Sequence, residues 1–186
     1  MLTVILAACL QLTAHAQTQP RTWAVSTNAF SWVNLGTINA EGAVGIHDHF
    51  TLNAGFTANP WKMETATGVN LMNRQYGGYV GAKYWPWHTF SEWWIGAKAQ
   101  YKNFEQAGLL TSNLIQGDAL GAGISAGYSL MIGGHFNLDF GLGVWGGRLF
   151  RYRSYKGNTD KTKLVEDGPR NFFFLDNITV SLAYIF

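Results

Sequence analysis

A chain of 186 residues has room for one domain, a single core or a single barrel. Charged residues make up only 13% of it, while 22 glycines and 8 Trp, 8 Tyr and 12 Phe are unusually many. That charge is about half the share of a soluble globular domain and points to strands whose outer face avoids water. The net charge of +2 lacks the basic footprint of a nucleic-acid binder, so no nucleic-acid partner is expected.

Residues 1–16 read as a signal peptide, leaving 17–186 as one barrel domain. Leu2 to Thr13 is largely apolar, and Ala14-His15-Ala16 supplies a small-x-small cleavage site before Gln17. Leu6-Ala7-Ala8-Cys9 offers a lipobox-like alternative, in which Cys9 would be acylated. With ordinary cleavage the mature domain contains no cysteine and hence no disulfide or thiol chemistry.

Beyond Gln17 no apolar run approaches the ~18–20 residues of a membrane helix. A chain that crosses a membrane without helices must close into a barrel, because every backbone group has to be paired away from lipid. Alternation with a period of two supplies the strands. Trp23 to Trp32 is the expected first strand, although its faces are poorly distinguished. Ile38, Ala40, Val44 and Ile46 then alternate with Thr37, Asn39, Glu41 and Gly45, and Phe50, Leu52, Ala54 and Phe56 with Thr51, Asn53, Gly55 and Thr57. Val80, Ala82 and Tyr84 oppose Tyr79, Gly81 and Lys83. Trp93, Ile95, Ala97, Ala99 and Tyr101 oppose Trp94, Gly96, Lys98, Gln100 and Lys102. The even positions from Leu120 to Leu130 are apolar against glycine and serine. Phe136 to Val144 and Ile178 to Phe186 repeat the pattern. The expected fold is all-β, a closed antiparallel transmembrane barrel of about eight strands.

The joins support that reading. His47–His49, residues 85–91 and Gly133-Gly134 are short, whereas 59–74, 103–116 and 153–171 are longer; only the first outer join, near Asn34, is brief. Short periplasmic turns and long outer loops are the habit of outer-membrane barrels. Trp85, Trp87, Trp93, Phe136, Tyr184 and Phe186 are expected in an inner aromatic girdle, and Trp61, Tyr76, Tyr101, Phe104, Tyr152 and Phe172 in an outer one. Tyr184 and Phe186 also form the aromatic end that barrel assembly machinery reads. A soluble lipocalin-like ligand binder would reverse the faces, apolar inside and charged outside, but the polar set here is mostly Gly, Ser, Thr and Asn.

Asn34-Leu35-Gly36, Asn59-Pro60-Trp61-Lys62, Lys83-Tyr84-Trp85 and Gly121-Ala122-Gly123-Ile124-Ser125-Ala126-Gly127-Tyr128 resemble stretches of an uncharacterised family of Bacteroidota outer-membrane proteins, a domain of unknown function. The resemblance is spread over most of the mature chain. It implies an outer-membrane barrel, often encoded near fimbrilin-type surface-appendage proteins, with an accessory role there.

The residues give little sign of catalysis. Small barrel enzymes that modify lipid A need a histidine at the outer-leaflet level, yet His47, His49, His88 and His135 all fall in turns expected at the periplasmic end. No catalytic residue and no cofactor is therefore expected. His47-Asp48-His49 cannot fix a tetrahedral metal shell without further ligands, so no metal is expected. Glu41, Lys83, Lys98 and Asp139 should point into the lumen. Buried charges there have to be paired, which predicts a salt-bridge network that fills the barrel; the functional alternative is a gate or proton path. The segment Arg151 to Arg170 carries Arg151, Arg153, Lys156, Lys161, Lys163 and Arg170 and is the candidate outer contact surface, for lipopolysaccharide phosphates or a surface-appendage protein. The role expected is structural or interaction-based, with outer-membrane lipid as partner. Rival roles are a lipid-modifying enzyme and a narrow channel.

Overall fold

The computed structural model describes residues 22–33, 36–64, 70–107, 113–157, 163–175 and 178–186. The expected signal peptide, the lipobox alternative, Asn34 and Lys161 lie outside these described residues. The elements are β1 (Trp23–Asn28), α1 (Ala29–Val33), β2 (Ile38–His47), β3 (Phe50–Asn59), β4 (Lys62–Glu64), β5 (Asn70–Tyr84), β6 (Glu92–Ala107), β7 (Leu114–Met131), β8 (Phe136–Leu149), β9 (Arg153–Tyr155), β10 (Leu164–Asp167), β11 (Arg170–Leu175) and β12 (Thr179–Ile185). β1, β2, β3, β5, β6, β7 and β8 pair antiparallel in that order. β11 and β12 share the eighth position, both on β8, and β12 returns to β1 from Ala24↔Ile185 to Asn28↔Ser181. The result is the closed eight-strand antiparallel barrel that the alternation implies.

The two faces follow the sequence phase. In β12 Ser181 and Ala183 are buried while Leu182 and Tyr184 are exposed. In β6 Trp94 and Gly96 are buried while Trp93, Ile95 and Ala97 are exposed. A strand's side chains alternate sides, so one register error would turn a whole face over. The wall therefore carries apolar side chains outward and mainly polar or small ones inward. Among the described residues no helix is long and apolar enough to cross a membrane, which says nothing of strands.

Three expectations are corrected. The first strand stops at Asn28, whose Oδ1 accepts a hydrogen bond from the Phe30 amide at 3.0 Å and starts α1 as an N-cap. Gly36, at φ +68°, donates its amide to Trp32 O at 2.8 Å and ends the turn. Among the described residues the long outer joins also carry strand. β5 and β6 stay paired up to Met72↔Ala107, so much of 59–74 and 103–116 continues the barrel wall. Pairing outlasts the alternation because Gln106 Nε2 bonds Asn73 Oδ1 at 2.8 Å, and Met72, Ala107, Leu114 and Tyr155 form a small apolar cluster at the rim. Within 153–171, β9 and β10 make a hairpin, and β9 takes over the edge of β7 beyond the end of β8.

Candidate functional site

The lumen concentrates the molecule's buried polar chemistry. Near the short turns it is shut by an apolar cluster of Ala24, Ala43, Trp85, Phe90 and Trp94. Trp85 is 2% exposed, so it belongs to this plug and not to an outer-wall girdle. The chain turns inward at the end of β5, and Phe90, held at φ +64° in the following turn, packs 5.7 Å from the Trp85 ring. From this plug a hydrogen-bond line runs up the wall. Trp85 Nε1 donates to Thr51 Oγ1 at 3.2 Å, Thr51 to Asn53 Oδ1 at 3.1 Å, and Asn53 Nδ2 to Glu41 Oε1 at 2.8 Å.

Glu41 is the centre of the arrangement. Lys83 Nζ donates to its Oε1 at 2.9 Å, and the Tyr79 hydroxyl donates to Oε2. Lys83 also lies 4.8 Å from the centroid of the Trp94 ring, and Lys98 Nζ lies 4.9 Å from that of Tyr79. Glu41, Lys83 and Lys98 thus meet in one place, and Asp139 lines the same cavity. Asp139 is anchored lower down: it accepts from Ser129 Oγ, which in turn accepts from Asn137 Nδ2 at 2.9 Å. A low-dielectric site makes such a partnered ion pair costly to break from one side only.

Glycines make room for the rings. A Cβ on Gly55 would strike the Tyr79 ring, and one on Gly141 would sit 2.7 Å from Trp94 Cζ2. Gly127 meets the same Trp94 edge. These shelves could not be recognised from one strand at a time, because each lies opposite a ring on another strand.

Above the ion pair the lumen loosens. A cavity of 80 Å³ lies beside Glu41, Lys83, Trp94 and Ser125, and a second of 140 Å³ lies above it between Thr37, Gln75, Gln100, Lys102 and Trp145. Amides and hydroxyls line this part. Asn59 Nδ2 and Gln75 Nε2 both donate to Thr37 Oγ1, at 2.9 and 3.3 Å. Near the rim Trp145 and Phe172 meet edge to face at 4.5 Å, with Tyr152 in the same buried cluster. Phe172 and Tyr152 therefore leave the expected outer girdle for the interior. Tyr76, Tyr101 and Trp61 remain exposed, whereas Phe104 packs partly buried against that interior cluster. At the other end Trp87, Trp93, Phe136, Tyr184 and Phe186 are exposed as expected, with Phe136–Tyr184 at 5.1 Å and Tyr184–Phe186 at 4.9 Å.

The other sequence candidates are scattered. His47, His49 and His88 neighbour one another at the turn end, with ring centroids 5.9 and 6.4 Å apart in succession. His135 lies in another turn, bonded to Ile185 O at 2.9 Å. Among the described residues no cluster has the grouping of a metal site. In the basic segment each arginine faces an acid: Arg151 and Asp118 at 3.8 Å, Arg153 and Asp167 at 3.6 Å, Arg170 and Glu166 at 3.1 Å. Arg170 also stacks on Tyr152 at 3.9 Å. Lys156 and Lys163 are exposed and joined through their backbones at 2.9 Å. On the outer wall near the rim, hydrogen bonds from Asn103 and Tyr101 hold the Asp118 carboxyl below the usual carboxylate range.

No curated protein and no solved structure matches this chain. A family profile described as "Protein of unknown function (DUF3575)" matches residues 1–186. An eight-strand barrel with a plugged, charge-paired lumen thus belongs to the DUF3575 family of proteins of unknown function.

Proposed function

We propose that the protein is a small outer-membrane barrel with a structural or interaction role, its lumen closed and its rim hairpins serving as contact surface. The observation that carries this reading is the inverted polarity of the wall. Val80 and Ile124 are each 63% exposed on the outside, while Glu41, Lys83 and Asn53 lie within. A soluble barrel buries its apolar face and shows water its charges; a barrel in lipid does the reverse. Aromatic pairs at the turn end, Phe50–Tyr84 at 5.1 Å and Trp93–Tyr128 at 5.2 Å, fit an interfacial belt.

The Trp85, Phe90 and Trp94 plug argues against a conducting channel, and the placement of the histidines at the turn end argues against a lipid A-modifying enzyme. Outer-membrane lipid and lipopolysaccharide are its surroundings in this reading. β12, which closes the barrel, shows Tyr184 and is followed by Phe186, is the strand that assembly machinery would receive. The β9–β10 hairpin, with Lys156 and Lys163 exposed, would meet a surface-appendage protein in an accessory fimbrial role.

Heat-modifiability tests the reading. Protein extracted from the outer-membrane fraction should shift on a gel when boiled and should give no steady conductance in planar bilayers. Recovery in the periplasm with no shift would contradict it, and steady conductance would return the channel.

A further inference from the structure

The outer wall carries a dent. Val80, Ala99, Ala122, Gly146 and Phe173 stand opposite one another in a single row across five strands. The three central residues are small, whereas Val80 and Phe173 close the ends. Leu120 forms the bank toward the rim, and Ile124 and Val144 form the bank toward the turns. The depression holds 550 Å³ and is lined almost wholly by apolar atoms. With strands ~4.8 Å apart, the row is roughly 19 Å long. Because strands of such a barrel tilt by ~35–45°, the row runs obliquely and rises roughly 11–14 Å along the membrane normal, close to one leaflet's share of the ~30 Å hydrocarbon core.

Chemistry changes one step above the row. Arg148 follows Gly146 on the same face of β8, opposite Leu120 and Asn171, and its side chain is exposed. Arg151, Arg153 and Arg170 each face an acid, but Arg148 has none within ion-pair distance among the described residues. An outward guanidinium at the edge of an apolar trench suits a phosphate, which it can bind through two parallel N–H donors.

We propose that this trench seats one acyl chain of an anionic, phosphate-bearing lipid, with the phosphate held by Arg148. The proposal rests on the outer-membrane reading and names a specific lipid contact on that wall. A second copy of the barrel suits the trench less well, because a two-fold interface across it would bring two Arg148 side chains together, and like charges oppose association.

The test is native mass spectrometry of the barrel released from nanodiscs of phosphatidylcholine doped with phosphatidylglycerol. The wild type should retain one phosphatidylglycerol. Ala122→Phe, which fills the trench from an outward position, should lower that retention about tenfold. Arg148→Gln should remove the preference for phosphatidylglycerol while still retaining a lipid, and Ile46→Phe, outside the row, should change nothing. Equal retention by the wild type and Ala122→Phe, or no lipid preference in the wild type, would overturn the proposal. So would a dimer that Ala122→Phe abolishes. Failure of the wild type to enter nanodiscs, seen as the lack of a heat-shifted band before any lipid is counted, would overturn the membrane reading along with the trench. Entry without retention would overturn the trench alone.

Discussion

The two halves of the lumen are filled by different means. Toward the short turns, rings lie on glycines and one ion pair takes its hydrogen bonds from Asn53 and Tyr79. Toward the rim, amides and hydroxyls share the lining of a cavity of 140 Å³ with Trp145, whose ring belongs to a buried cluster with Tyr152 and Phe172. An eight-strand barrel is just wide enough to be filled by its own side chains, so each half had to reach closure within the same width. The tight half uses large flat rings and can hold a charge only where every neighbour is fixed. The loose half leaves more open space, although Asn59 and Gln75 there share the Thr37 hydroxyl. Substitutions should therefore hurt far more below the Glu41–Lys83 pair than above it.

The largest effect is expected at Gly127, where a side chain would meet both Trp94 and the carbonyl of Phe140. Gly127→Val should abolish the heat-modifiable band, and a normal band would show that the Trp94 shelf is dispensable. Next comes the ion pair. Glu41→Leu takes from Lys83 its hydrogen-bonded carboxylate, leaving Asp139 across the same cavity, and should cost about 3–5 kcal/mol in urea unfolding from detergent. Adding Lys83→Met should restore most of that loss, whereas simple addition of two losses would deny the coupling. Lys98→Met removes the contact with the Tyr79 ring and should cost about 1 kcal/mol, less than the change at Glu41. A loss as large as that of Glu41→Leu would place Lys98 at the centre of the network. Smallest is Arg151→Ala on the rim, since its side chain is 85% exposed; exposed pairs contribute about 0–1 kcal/mol. Asp118 sets a pH sign there. Its carboxyl is held low, so its contribution is present above the ordinary carboxylate range and fades as pH falls through the lowered value. Asp118→Asn should remove that acid-side slope.

The inward charges were legible in the sequence, whereas the difference between the two halves was not, for identifiable reasons. Alternation placed Glu41, Lys83, Lys98 and Asp139 inside because a strand's period is two. It misplaced Trp85, which sits where β5 gives way to a turn and the period no longer governs direction. It ended β5 and β6 too soon because pairing above the apolar band is held by Asn73 and Gln106, which carry no hydrophobic signal. The meeting of Gly127 and Gly141 beneath Trp94 depends on the registers of three strands, and no single stretch encodes that. Arg148 was passed over because it lies just before the dense basic segment, and only its outward side on β8 separates it from the paired arginines.

The most direct test of the account is the environment of two adjacent positions on β7. Ile124→Cys and Ser125→Cys, each carrying a spin label, would be compared in vesicles for collision with oxygen and with a water-soluble nickel chelate. The account predicts that the label at 124 is relaxed by oxygen and shielded from the chelate, while the label at 125, within the lumen, is poorly reached by oxygen. Free access of the chelate to position 124 would contradict a wall that faces lipid.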